Sequence, residues 1–183
     1  MTPVFHLRVL RRPLRCRGSL RSAPAALLLA LALLCPAAAL AQELPAVLIQ
    51  QGERYLAMGK YQAALARYAK VLECCEGTAN AAEAHNDMGV AWMRLGDAEK
   101  ARKHYEAALR IDRYPLALFN YARLLEQRWK AEKNDADRSM ALGYYEEFSK
   151  YLESDALMPP AVEYQKDELR EAVRSALAGL AGK

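Results

Sequence analysis

The sequence predicts an all-α domain: a short solenoid of helical hairpins closed by a terminal capping helix. Three observations point there. A pattern of glycine, alanine and aromatic residues recurs at a constant offset of 37 positions, and self-similarity at such a period marks stacked supersecondary units. Apolar residues return at helical spacing, and no segment shows the strict alternation of a half-buried strand. Beyond its first forty or so residues, the 183-residue chain is long enough for one small domain with its own core.

Residues 1–41 read as a secretory signal peptide. Arg8, Arg11, Arg12, Arg15, Arg17 and Arg21 form a positive n-region, Ala25 to Leu34 an apolar h-region, and Ala39-Leu40-Ala41 a small-residue c-region with cleavage expected before Gln42. The apolar run is short of the about 20 residues a membrane span takes, and Pro36 interrupts it. Because Ala23 to Ala41 carries no charge, an uncleaved anchor is the alternative. Two sharper motifs fail on detail. Cys35 follows Leu34, where a lipobox needs a small residue, and Arg11-Arg12 runs into Pro13 and Leu14, which do not continue a twin-arginine signal. The expected location is the bacterial periplasm, or the membrane facing it if the leader is retained.

The formal net charge of +4 belongs to that leader. From Gln42 onward, 20 basic residues stand against 22 acidic ones, which gives no electrostatic reason to expect nucleic acid. Cys74 and Cys75 are the cysteines left after cleavage. Neighbours on a helix point about 100° apart, so a bond between them would be strained. The plainer expectation is one buried small residue and one partly exposed thiol, with a vicinal redox pair or an intermolecular disulfide as alternatives in an oxidising compartment.

The mature chain, residues 42–183, divides into repeats at about 45–78, 82–115 and 116–153, then a capping helix at about 160–180. In the first two copies Gly52 and Tyr55 correspond to Gly89 and Trp92, Gly59 to Gly96, Ala64 and Tyr68 to Ala101 and Tyr105, and Val71-Leu72 to Ala108-Leu109. The first glycine of each copy lets two antiparallel helices approach, and the aromatic three residues later is expected to fill the adjacent gap. The second glycine ends the first helix, where a left-handed backbone costs glycine least. Ala64 and Ala101 are small where the second helix crosses the first, and Tyr68 and Tyr105 are expected to reach toward the following repeat. The offset of 37 equals a 34-residue period plus three residues inserted around Gly77-Thr78-Ala79.

This pattern, with Gly52, Tyr55, Ala64 and Tyr68 in one copy and Gly89, Trp92, Ala101 and Tyr105 in the next, resembles the tetratricopeptide repeat (TPR) motif, in a small exported bacterial-type protein. A third copy departs from it. Asn120 stands 34 residues after Asn86 and Leu118 to Leu125 keep the helical phase, but Arg123 replaces the glycine and Glu126 the aromatic, which puts the tight helix contact in doubt. The link Lys130 to Asp135 reads as longer than usual, and Ala141 and Tyr145 mark the second helix. Pro159-Pro160 stops that unit. Val162, Leu169, Val173, Ala176, Leu177 and Leu180 then form the apolar stripe of the capping helix, with Glu163, Lys166, Asp167, Arg170, Glu171 and Arg174 on its solvated face.

The resemblance implies a protein or peptide partner held on the concave surface lined by the first helix of each repeat. That surface would comprise Ile49, Glu53 and Leu56, then Glu83, Asn86, Val90 and Met93, then Asn120, Leu124 and Gln127. Asn86 and Asn120, one repeat apart, would grip an extended backbone through amide donor and acceptor. Some TPR domains hold a C-terminal carboxylate with cations and asparagines in this groove. Here Ile49 and Glu53 stand where a lysine and an asparagine would be needed and Ala117 replaces another cation, so that chemistry does not carry over. Catalytic, cofactor and metal motifs are missing from the sequence. His85 and His104 belong to no metal-binding motif, with His85 expected at or near the core. No serine has a nucleophile-elbow neighbourhood, and there is no glycine-rich phosphate loop. The expected function is a non-catalytic interaction module, an adaptor or assembly factor of the cell envelope, with a structural subunit of an envelope or secretion assembly as the alternative.

Overall fold

The computed structural model describes residues 44–154 and 160–182. The signal-peptide reading of residues 1–41 lies outside them. Eight helices make up the described residues: α1 (Pro45–Ala57), α2 (Tyr61–Cys75), α3 (Ala79–Arg94), α4 (Ala98–Ile111), α5 (Pro115–Glu132), α6 (Asp135–Glu153), the short α7 (Pro160–Tyr164) and α8 (Lys166–Ala181). There is no strand among these residues. Sequential pairing gives the hairpins α1/α2, α3/α4 and α5/α6. Each hairpin packs on the next through α2 with α3 and α4 with α5, and α8 covers α6. The first helices also touch one another, α1 with α3 and α3 with α5, which puts them on a common face.

Local chemistry sets the helix ends. Pro45 and Pro115 open α1 and α5 at positions where the missing N–H costs nothing. Thr78 caps α3 by accepting from the Ala81 amide at 3.3 Å, and Asp97 caps α4 by accepting from the Lys100 amide at 3.0 Å. Gly59 and Gly96 close α1 and α3 at φ +72° and +81°, the left-handed exit expected of them. Ala64 and Ala101 are fully buried where the helices cross.

Tyr68 and Tyr105 reach the following repeat as expected, Tyr68 clustering with Ala84 and Tyr105 lying with its ring 6.2 Å from that of Tyr121. The filling of the glycine gaps departs from expectation. A Cβ placed on Gly52 would lie 2.6 Å from Cζ of Tyr68, and one on Gly89 2.6 Å from Cδ1 of Tyr105. The space each glycine vacates is therefore filled by the tyrosine of its own hairpin's second helix, not by Tyr55 or Trp92. Those two remain partly buried, with Arg67 over the Tyr55 ring and Lys100 over the Trp92 ring at 4.1 Å.

The third hairpin solves the same problem differently. Tyr145, fully buried, turns its hydroxyl to donate to Glu126 Oε2 at 2.8 Å, and Phe119 packs edge-on to the Tyr145 ring and against Phe148. Glu126 at the aromatic position thus becomes a hydrogen-bond acceptor, and α5 and α6 pack closely without the glycine. The long link predicted over Lys130 to Asp135 is also corrected. Helix α5 continues through Glu132, carried by the helix formers Lys130, Ala131 and Glu132. The turn is only Lys133, left-handed at φ 57°, and Asn134, which caps α6.

Two packed clusters form the interior. Leu48, Ile49, Tyr68, Val71 and Ala84 fill the first, and Leu118, Tyr121, Leu124, Leu125, Phe148 and Leu152 the second. Val162, Leu169, Val173 and Leu180 join the second cluster from α7 and α8. The capping segment is thus two helices, parted at Gln165, and its charges pair at the surface as Lys166–Glu163, Arg170–Asp167 and Arg174–Glu171.

Candidate functional site

The face shared by α1, α3 and α5 receives a tyrosine from behind at each close helix crossing. Tyr105, passing over Gly89, lines a cleft of about 330 Å³ with Val90, Met93 and Arg94 of α3 and Asn120, Arg123, Leu124 and Gln127 of α5. Five of the ten groove residues predicted from the sequence meet here: Val90, Met93, Asn120, Leu124 and Gln127. The cleft floor is apolar, with a methionine able to adapt its shape, and exposed guanidinium groups stand on both sides of it.

One repeat earlier the charge reverses. Glu53 of α1 and Glu83 and Asp87 of α3 act on one another and on Tyr68, which passes over Gly52. Burial, then the Glu83 and Glu53 charges, push the Asp87 carboxyl up to about 7. Burial followed by Glu53 raises Glu83 as well, against the hydrogen bond that Tyr114 donates to Glu83 Oε1 at 3.4 Å. The Tyr68 phenol is driven above its ordinary value by burial first and then by Asp87, Glu53 and Glu83.

Several predicted residues sit elsewhere than expected. Ile49 is 5% exposed and belongs to the core beneath the face, and Leu56 is half-buried against the same cluster. Asn86 is 2% exposed and internally satisfied. Its Nδ2 donates to Asp87 Oδ1 at 3.0 Å and its Oδ1 accepts from Asn120 Nδ2 at 3.0 Å. The asparagines therefore bridge α3 to α5, and Asn86 does not offer a peptide its amide. Sequence reasoning missed Arg94, Tyr105, Arg123 and Asp87 as face residues. The signal was helical spacing: Arg94 is four residues after Val90, Arg123 three after Asn120, and Asp87 four after Glu83.

Two other clusters form off this face. His85 Nδ1 and His104 Nδ1 meet at 3.0 Å across the second hairpin. Burial and then the neighbouring imidazole push His104 down to about 4, and burial lowers His85 too. The pair is therefore neutral near pH 7, one ring donating to the other. The thiols of Cys74 and Cys75 lie 2.6 Å apart at the end of α2. Cys74 is exposed and Cys75 partly so, and neither is the buried residue that was expected. Among the described residues no group of three or more His, Cys, Asp or Glu is arranged to hold a metal, and no helix is long and apolar enough to cross a membrane.

The family model of the tetratricopeptide repeat matches residues 82–115. Among solved structures, the first TPR of Spaghetti (RPAP3) bound to the HSP90 peptide SRMEEVD is similar in fold. The TM-score is 0.51 with 19% sequence identity over 73% of this chain and 93% of that one. No curated protein matches the sequence significantly. Residues 82–115 are thus a tetratricopeptide repeat, set in a stack of helical hairpins with the tetratricopeptide fold.

Proposed function

We propose that the chain is a non-catalytic interaction module that holds an extended segment of a protein partner on the α1, α3, α5 face, as an adaptor or assembly factor of the bacterial cell envelope. The observation that carries this reading is the cleft floored by Val90, Met93 and Leu124 and flanked by Arg94 and Arg123. It joins an apolar surface to flanking cations, the combination a peptide-recognition groove uses. The similar TPR bound to the HSP90 peptide supports a peptide ligand as a class. The envelope assignment draws its support from the arginine-rich leader followed by an apolar run and Ala39-Leu40-Ala41. A photo-crosslinker at Gln127 in the native cell should capture the partner, and Arg94→Glu with Arg123→Glu should abolish capture while the fold persists. Undiminished capture by the double variant would remove the cleft from the binding surface.

A second reading, a subunit of a larger envelope assembly, is favoured by one feature. Leu44, Val47 and Met58 stand exposed at the first hairpin, whereas α8 covers the opposite end. Sedimentation separates the two: a stable monomer supports the adaptor, and concentration-dependent association supports the subunit.

A further inference from the structure

We propose that the groove does not end at α5: it crosses Arg123 into a second cleft walled by the capping helix α8, and takes a partner segment in which an acidic residue stands between two large apolar ones. This rests on the reading of the α1, α3, α5 face as a peptide groove and names both its far wall and the chemistry it selects. The second cleft, of about 530 Å³, has Phe119 and Arg123 of α5 on one side and Ala172, Ser175, Ala176 and Gly179 of α8 on the other. Its construction repeats that of the cleft between α3 and α5. In each, a tyrosine of the intervening helix stands at the back, Tyr105 of α4 in the first and Tyr145 of α6 in the second. Helix α8 thus holds the place that the first helix of a fourth hairpin would take. Leu169, Val173 and Leu180 fix it to the core along one stripe, so the space on its other stripe is not loose docking. That space stays open because the side chains facing it are short: a Cβ on Gly179 would meet nothing within 4 Å, and Phe119 across from it is only half-buried.

Charge decides what such a groove accepts. Arg123 lines both clefts, so they meet at its guanidinium. Arg102, Arg113, Arg128, Arg170 and Arg174 each pair with a carboxylate of this chain, whereas Arg94 and Arg123 meet none among the described residues. Lys130, at the far side of the second cleft, is taken by Glu126 at 2.6 Å, and Glu126 in turn accepts the Tyr145 hydroxyl. The Arg123 guanidinium instead lies 5.7 Å from the centre of the Phe119 ring, with its donors left for a ligand. A carboxylate takes two parallel bonds from such a fork. To one side of it lies the floor of Val90, Met93 and Leu124, and to the other the Phe119 ring and the alanines of α8, each a seat for a large apolar side chain. Packed helices lie about 8–10 Å apart, the reach of about three extended residues. The fitting segment therefore carries two apolar residues about three positions apart, with the acidic residue between them.

The test uses the purified full chain and a randomised, end-capped nonapeptide library with a fixed central glutamate, beside a second library with central glutamine. Selected glutamate peptides should carry a large apolar residue on each side of the centre and lose about tenfold or more in affinity when the glutamate becomes glutamine. Gly179→Leu fills the second cleft from an exposed helical position. It should weaken the same peptides by about tenfold or more, the worth of one buried apolar side chain, and leave selection of an apolar residue on one side only. Arg123→Gln should erase the preference for glutamate over glutamine. Thermal melts confirm that both variants are folded, with Gly179→Leu at or above the parent midpoint through its gain in helix propensity. Peptides that bind Gly179→Leu as tightly as the parent would remove α8 from the groove, and glutamine peptides that bind as well as glutamate ones would overturn the acidic preference; either result leaves the first cleft standing. If no peptide from either library binds, the groove reading falls and this extension with it.

Discussion

Asp87 carries a proton near neutral pH that an ordinary aspartate would have released. Its pKa of about 7 in the fold stands above the ordinary 3.8. The folded protein therefore binds more protons than the unfolded chain between those values, and Asp87 costs stability increasingly as pH rises through that window, the full cost being present above pH 7. Asp87→Asn keeps the shape and removes the charge. The variant should match the parent at pH 4 and exceed it at pH 8 by about 1 kcal/mol or more, since a tenfold change in proton affinity is worth about 1.4 kcal/mol. Denaturant melts at the two pH values check this, and an equal offset at both would mean that Asp87 ionises normally. The glycines offer a second residue-scale contrast. Gly89→Ala pushes a methyl into the buried Tyr105 ring and should cost about 1–3 kcal/mol, the usual penalty of overpacking. Gly143→Ala, in α6 with nothing within 4 Å of the added carbon, should instead stabilise by about 0.5–1 kcal/mol through helix propensity.

At the scale of elements, the α5–α6 hairpin shows how a repeat survives loss of its signature. Where the first two hairpins seat a tyrosine in a glycine notch, the third exchanges the notch for the Tyr145–Glu126 hydrogen bond and the Phe119–Phe148 ring contact at 5.3 Å. Its turn is tied by Arg128, which reaches Asp137 Oδ2 at 3.3 Å and Glu99 at 3.5 Å, linking α4, α5 and α6. Arg113 and Glu147 make a further ion pair between the link preceding α5 and the middle of α6. The strained point is Lys133, a lysine in the left-handed region. Lys133→Gly should raise stability by about 1 kcal/mol, because the side chain that disfavours this backbone is gone; a lower unfolding midpoint would show that its ammonium over Trp129 outweighs the backbone strain.

At the scale of the whole molecule, a stacked array leaves an apolar surface at each end, and α8 covers one of them. Leu169, Val173 and Leu180 complete the cluster containing Phe148 and Leu152, Arg138 donates to the Leu180 carbonyl at 2.7 Å, and Arg170 to that of Leu152 at 3.2 Å. Truncation after Ser154 should therefore expose the Phe148 cluster, lower the thermal midpoint and make sedimentation concentration-dependent where the full chain at the same concentration is unchanged. A truncated chain that melts like the parent would reduce α8 to an ornament of the fold.

The sequence alone determined that the described residues are all-helical, that their helices pair as hairpins of tetratricopeptide type, and where Gly59 and Gly96 end them. These features rest on local periodicity and backbone preference, which a chain carries in its own order of residues. The tertiary structure decided what those patterns could not. It placed Tyr68 and Tyr105 in the notches of Gly52 and Gly89, drew Asn86 into a bridge with Asn120 and away from solvent, and set three carboxylates against two guanidiniums along one face. Each of these depends on which side chains from separate helices share a space, and on the loss of water there. A repeat motif specifies the helices that meet, but the charge and burial of the resulting face arise only once they have met.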